Sequence, residues 1–376
     1  MYFSVYNYYI LRKLHTLYKI ININNLSNSI TFVISKKNQL KIIWGLDPRN
    51  LIHTYIRIFV QKYTEEKVTV SIKFMIDLLT TFSNEKLFIE KKKKTLFIYS
   101  KQGVYEVPTY YDNFNYHNNK LKKSSFVRIP LLSSTLLKIL NKTLFATGDK
   151  EMKSIFNGVF FQFNTNEANF VATDTYKLVK YTIKNFKTNQ NVEFTISKKY
   201  LNIVKEIVKN ENKNNIVIKY FEKNNVLFDF EDHTFICQLI NEKYPDYHSF
   251  IPHNKCHISF IFNKFLLLNT LKRISIFSKK RKNFIDFHFY HNKLKICDQN
   301  TISKNHFISE IEYKVVVTNI KNLKIGFNSQ FLIEILSSLN EDFVYFELYH
   351  KMGILKPIHK KKEESIFILI MSTIKI

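Results

Sequence analysis

Arg12 and Lys13, Lys138 and Lys142, and Lys272 and Arg273 lie on three segments whose apolar residues recur at helical spacing. Lys198 and Lys199 open a fourth such segment, and Lys150 and Lys153 flank the loop ahead of Asn157-Gly158. Ammonium and guanidinium groups on helix faces can grip phosphates by charge without reading bases. The chemistry they offer is therefore a sequence-independent hold on a polyanion. The formal net charge of +26, from 57 Lys+Arg against 31 Asp+Glu, raises the same expectation. The alternative is an ordinary solvated lysine surface. Phe (35) and Tyr (22) abound while Gly and Pro number six each, a composition in which drift toward Lys supplies part of the charge.

Groups for covalent or acid–base chemistry are not arranged for it. No glycine-rich phosphate loop and no Gly-x-Ser-x-Gly elbow occur in the sequence. His253 and His257 flank Cys256, but at a strand-rich seam and without metal-ligand spacing to the other cysteines. Asp174 and Asp246 stand singly in turn-like stretches. The reading is a non-enzyme with no cofactor and no metal. Cys237, Cys256 and Cys297 leave one thiol unpaired and point to a reduced, cytoplasmic setting. No apolar run has the length of a membrane span, and the N-terminus lacks the order of a secretory signal.

The elements that would carry these residues form a repeat. VSIKFMIDLL, TISKKYLNIV and GFNSQFLIEI place Ser71, Ser197 and Asn328 as N-caps, with Phe74, Tyr200 and Phe331 opening the buried face. Their separations are 126 and 131 residues, and the apolar stretches from Ile10, Leu136 and Leu267 repeat at the same two offsets. Each repeat reads as a helix, strands, a second helix and more strands. The strand readings include Ser29–Ile34, Gly158–Phe163, Asn214–Phe221 and Asp342–Tyr349. Boundaries are expected near 124 and 252, giving domains 1–124, 125–252 and 253–376. The net charge is +12 over 1–125, +4 over 126–252 and +10 over 253–376, so the outer repeats carry most of the positive field.

The central repeat holds Phe145-Ala146-Thr147-Gly148-Asp149, Phe156-Asn157-Gly158-Val159 and Val171-Ala172-Thr173-Asp174-Thr175-Tyr176-Lys177-Leu178. Later come Lys243-Tyr244-Pro245-Asp246-Tyr247 with Ile251-Pro252, then Lys272 to Ser278, Gly326 to Leu332, and the strand Phe367 to Met371. This text resembles the beta subunit of bacterial DNA polymerase III, the sliding clamp, strongly over the second and third repeats and more weakly over the first. The resemblance implies an α+β fold of three tandem DNA-clamp domains, each with two helices packed on antiparallel sheets. It implies a head-to-tail homodimer, a six-domain ring around double-stranded DNA that serves polymerase processivity. Polymerase activity would belong to the holoenzyme.

By the same resemblance, a cleft for peptides of the polymerase III catalytic subunit, clamp loader and repair proteins would be formed by Phe156, Thr173, Thr175, Tyr176, Lys177, Leu178, Pro245, Ser249, Phe250, Gly353, Ile370, Met371 and Ser372. Tyr105 and Val107 would face Ile276 and Phe277 of a neighbouring subunit. The basic residues named above, with Lys150 and Lys153, would face DNA. Departures from the family's pattern are Asn24 to Asn28 in place of its Leu-Pro-Ile-Leu stretch, Lys177 where Arg is usual, and the ending Met371 to Ile376. A non-ring basic nucleic-acid-binding protein, or a degraded clamp paralogue, is the alternative.

Overall fold

The computed structural model describes residues 1–23, 28–35, 37–47, 49–110, 125–149, 151–210, 215–222, 225–253, 256, 258–278, 283–290, 293–298, 308–318, 322–349, 351–359 and 361–373. Lys150 thus lies outside the described residues, as does the side chain of Phe277. The repeat is finer than the sequence suggests, because each third is built twice over from one strand, one helix and three strands. The first half-repeat is β1 (Tyr2–Tyr6), α1 (Asn7–Ile23), β2 (Ser29–Ser35), β3 (Gln39–Asp47) and β4 (Asn50–Arg57). The second is β6 (Lys67–Ser71), α2 (Ile72–Leu79), β7 (Lys86–Lys92), β8 (Thr95–Ser100) and β9 (Gly103–Pro108), preceded by a short β5 (Phe59–Lys62).

The central third repeats this with β10 (Phe126–Leu132), α3 (Ser133–Thr143), β11 (Gly158–Phe163), β12 (Glu167–Thr173) and β13 (Lys177–Lys184). Its second half is β14 (Val192–Ser197), α4 (Lys198–Asn210), β15 (Asn215–Phe221), β16 (Asn225–Phe230) and β17 (His233–Gln238). The last third runs β18 (Ile258–Asn263), α5 (Lys264–Ser278), β19 (Phe284–Tyr290), β20 (Lys293–Asp298), β21 (Ile308–Glu312) and β22 (Lys314–Thr318). It ends with β23 (Asn322–Asn328), α6 (Ser329–Ser338), β24 (Phe343–Tyr349), β25 (Met352–Pro357) and β26 (Glu364–Met371).

The helices start where the sequence signals them. The Ser71 hydroxyl accepts the Phe74 N–H at 3.3 Å, and Asn328 Oδ1 accepts those of Gln330 at 2.9 Å and Phe331 at 3.3 Å. The aromatic that follows does not always turn inward: Phe74 is 43% exposed, and Met75, Ile76 and Leu79 carry the buried stripe of α2. On α4 the stripe is Leu201, Val204, Ile207 and Val208, each worth about 1.5–3 kcal/mol when fully buried.

Two compact units arise, and their division follows the sheets rather than the thirds. The first takes residues 1–137 and 199–239, the second 138–198 and 240–376. In the first, the order β10-β15-β16-β17-β4-β3-β2-β6 makes one eight-stranded antiparallel sheet, and β5-β1-β7-β8-β9 another. Thr54 of β4 pairs with His233 of β17, and His53 with Thr234, so the sheet runs straight through the expected boundary near 124. Pro130 is accommodated because, among the described residues, β10 is an edge strand with no further ladder to feed.

In the second unit, β14-β11-β12-β13-β26-β25-β24-β18-β22 form a nine-stranded sheet and β21-β20-β19-β23 a four-stranded one. Here β13 pairs with β26 from Lys177–Ile370 to Ile183–Glu364. The abundant phenylalanines fill this unit's core: Phe161 meets Phe194 at 5.4 Å and Phe170 edge-on at 5.2 Å. Gly158 is required there, since a Cβ would come within 2.6 Å of the Ile196 carbonyl oxygen.

Candidate peptide-binding groove and basic faces

The turn between β12 and β13 is built by its own side chains. Asp174 Oδ1 accepts the N–H groups of Tyr176 at 3.0 Å and Lys177 at 2.8 Å. The Thr173 hydroxyl donates to the Lys177 carbonyl at 2.8 Å and accepts the Thr175 N–H at 3.1 Å. Thr175 is held at φ +73°, a strained place for a β-branched residue. The turn thrusts Tyr176 outward, 55% exposed, with its ring 6.1 Å from that of Phe331. The Met371 N–H donates to the Tyr176 carbonyl at 2.8 Å and ties the turn to the end of β26.

The pleat then sorts the expected cleft residues onto two faces. On one face, Leu178 and Leu369 stand opposite each other and join Ile155, Phe160, Val171, Tyr244 and Tyr247 in one buried cluster. Phe156, Ile240, Met352, Phe367 and Met371 are half-buried against it. Phe156, Leu178 and Met371 thus come together, and Thr173 lies on the same face, two residues on from Val171. Pro245 is half-buried, Ser249 and Phe250 are exposed, and the Ser249 hydroxyl donates to the Asp246 carbonyl at 2.8 Å. The Ser372 Oγ is buried with no partner among the described residues.

Three expected cleft residues belong elsewhere. Ile370 is fully buried and, between Leu369 and Met371, points to the opposite face. Gly353 is a packing position, where a Cβ would meet the Phe346 ring at 2.4 Å. Lys177 also turns to the opposite face, with its side chain 4% exposed. Its ammonium sits 2.8 Å from Asp174, 3.0 Å from Glu334 and 4.1 Å from the centre of the Phe331 ring.

Sequence reasoning placed Tyr244 and Tyr247 in a motif but not in the groove; their position beside Pro245 was the available signal. Tyr244 stacks on Phe160 at 4.6 Å and 8°, and its buried hydroxyl has no partner among the described residues. Burial pushes its pKa up. Burial, with Glu167 and nearby acids, pushes that of Tyr247 up to about 12. The Tyr247 hydroxyl donates to Gln162 at 2.9 Å. A cavity of about 990 Å³ adjoins this face, with Lys180 and Phe367 in its wall.

The basic residues divide by what already holds them. Arg12 and Lys199 in the first unit, and Lys153, Lys272 and Arg273 in the second, are exposed, and Lys198 is half-buried. The guanidinium of Arg273 donates to Thr270 at 3.1 Å. Lys13 is paired with Asp232 at 3.0 Å and Lys138 with Glu364 at 2.6 Å. Lys142 is corrected outright: it is 7% exposed and its ammonium donates to the Ser338 carbonyl, so it reaches no external phosphate.

Of the expected interface residues, Val107 is fully buried within its own sheet, so its side chain meets no neighbour. Tyr105 packs edge-on against Phe82 at 5.0 Å, and Ile276 is 66% exposed. Among the described residues no three His, Cys, Asp or Glu side chains gather as a metal site, and no helix is long and apolar enough to cross a membrane.

Comparison with known proteins agrees with this architecture. Residues 131–246 match the family model of the DNA polymerase III beta subunit central domain, and 248–373 that of its C-terminal domain. The beta sliding clamp of Buchnera aphidicola from Acyrthosiphon pisum is 25% identical over 315 residues, covering 81% of this chain and 80% of the relative. A Pseudomonas aeruginosa DNA polymerase III subunit beta structure superposes with a TM-score of 0.86 at 17% identity, over 99% of this chain and all of that one. The Streptococcus pneumoniae beta chain gives 0.85 at 20% identity over the full length of both.

Proposed function

Because the chain belongs to the DNA polymerase III beta subunit family, the beta sliding clamps, we propose that two copies close head to tail into a ring around duplex DNA. The protein is a processivity factor rather than a catalyst. The observation that carries the ring is a rule of strand pairing. The last strand of each first half pairs with the last strand of the next repeat's second half: β4 with β17, and β13 with β26. Two strands obey the rule's form but lack its partner. Among the described residues β21 pairs only with β20, and β9 only with β8, so each has an edge with no partner there. A second copy supplies both missing partners, and a heterologous contact repeated twice closes on itself.

The register can be carried over. His233 opens β17 as Gly103 opens β9, and Ile56 faces Leu40 as Ile311 faces Leu294. The His53–Thr234 pair therefore corresponds to Ile308 of one copy against Val104 of the other. Both are exposed apolar edge residues, at 52% and 56%. Such edges invite pairing.

Inside such a ring, Arg12, Lys199, Lys272 and Arg273 supply mobile charge to the phosphates, while the topology keeps the protein on the DNA. The groove floored by Phe156, Leu178, Phe367 and Met371 takes apolar side chains from a peptide of the polymerase catalytic subunit or the clamp loader. Its methionines can repack around different sequences. The setting is the cytoplasm, beside the chromosome. Light scattering after size exclusion tests the edge pairing. The native protein runs as a dimer, Val104→Lys as a monomer, and Val104→Lys with Ile308→Glu as a dimer again. A native monomer at micromolar concentration refutes the ring, and an unaffected Val104→Lys dimer refutes this register.

A further inference from the structure

Lys180 is out of keeping with its surroundings. It sits in the middle of β13, directly opposite Val171 on one side and Phe367 on the other, both part of the apolar face just described. Its ammonium is 5.5 Å from the centre of the Tyr247 ring, and the residue is half-buried. Among the described residues no carboxylate lies within ion-pair reach of it. Two other lysines of the adjoining cavity do have acidic partners: Lys356 holds Glu347 at 2.8 Å and Lys138 holds Glu364 at 2.6 Å. Burial lowers the pKa of Lys180, with Glu167 acting weakly the other way. A half-buried cation facing a ring and open space, with no anion, is a costly arrangement for stability alone. It is a suitable one for receiving a charge from outside.

We propose that Lys180 binds a carboxylate of the peptide seated on the Leu178–Met371 floor, and so selects acidic ligands for this groove. The inference rests on the peptide-groove reading above. The peptide's apolar side chains would cover Phe156, Leu178 and Met371, and the chain would continue across β13 and β26 toward the cavity. There a carboxylate meets the ammonium with part of the water removed, which strengthens the pair relative to one at an open surface. Exposed Lys184, four residues along β13, extends the positive wall in the same direction.

Fluorescence polarisation of three labelled octapeptides on the full-length protein tests this. All carry Leu and Phe anchors: the first ends in Asp-Asp with an amidated terminus, the second in Asn-Asn amidated, the third in Asn-Asn with a free carboxylate. At low salt the first or the third binds about five- to tenfold more tightly than the second. Which of the two gains identifies a side-chain or a terminal carboxylate. Lys180→Met abolishes the preference and leaves the affinity for the second peptide within about twofold, while Lys180→Arg retains it. Equal binding of all three to the native protein, or a preference that survives Lys180→Met, overturns the inference alone. If no peptide binds, the second included, the groove reading itself fails and the inference goes with it.

Discussion

Replacing Lys177 by Met removes a single charge from a place the fold has closed around it. The ammonium bridges Asp174 at 2.8 Å on the β12–β13 turn and Glu334 at 3.0 Å on α6, above the Phe331 ring. Methionine keeps the length and the apolar fill, so the loss is electrostatic. Breaking one side of a buried ion pair costs about 3–5 kcal/mol, because the partner is left uncompensated. Two features reduce that figure here. Asp174 retains two backbone N–H donors on Oδ1, and Glu334, with its side chain 32% exposed, can turn to water. The expected loss is about 2–3 kcal/mol. At about 2–4 °C per kcal/mol for a cooperative unit of roughly 200 residues, Tm falls by about 5–10 °C. Scanning calorimetry at pH 7 measures it, with Lys177→Arg as the charge-preserving control. A Lys177→Met protein melting within 1 °C of the parent would refute the reasoning.

Gly353→Ala forces a methyl against the Phe346 ring at 2.4 Å and should cost about 1–3 kcal/mol in urea unfolding, with groove affinity measured in parallel. Buried His53 and His233 are held neutral, down at about 3 and about 4, whereas the unfolded chain protonates them near 6.5. Across that window the unfolded state binds more protons, so stability falls as pH drops from about 6.5 toward 4, by at most about 1.4 kcal/mol per pH unit for each histidine. Urea melts at pH 7, 6 and 5 check this, and a slope unchanged in His53→Gln/His233→Gln counts against it. For DNA, Arg12→Ala and Lys272→Ala should each lower affinity and reduce the salt dependence, while Lys142→Met leaves both unchanged because that ammonium is spent on Ser338. Titrations at three salt concentrations separate the two classes.

Local chemistry made much of this fold legible in the sequence. The caps at Ser71 and Asn328 repeat because an N-cap is a short-range device, and β2, β11, β15 and β24 stand out through β-branched and aromatic runs. The first strand of each third escaped notice. β1, for example, passes directly into α1 with tyrosines on both sides of the junction, so no turn residue marks the change of period. Long-range pairing was equally silent. That β4 adds to β17 and β13 to β26 depends on partners far away in sequence, and the seams between repeats vanish into continuous sheets. The candidate site shows the same limit at the scale of a residue. Met371 and Ile370 are neighbours, yet the pleat puts one in the groove and the other in the core. Lys142 looks like an exposed helix lysine until its carbonyl partner on a distant helix is known.

The central claim is that the protein holds DNA by encircling it, and retention on nicked circular DNA against the same DNA linearised tests it most directly. After loading, and a wash in high salt that cancels phosphate contacts, a ring stays on the circle and runs off the line. Equal loss from circle and line would contradict the account.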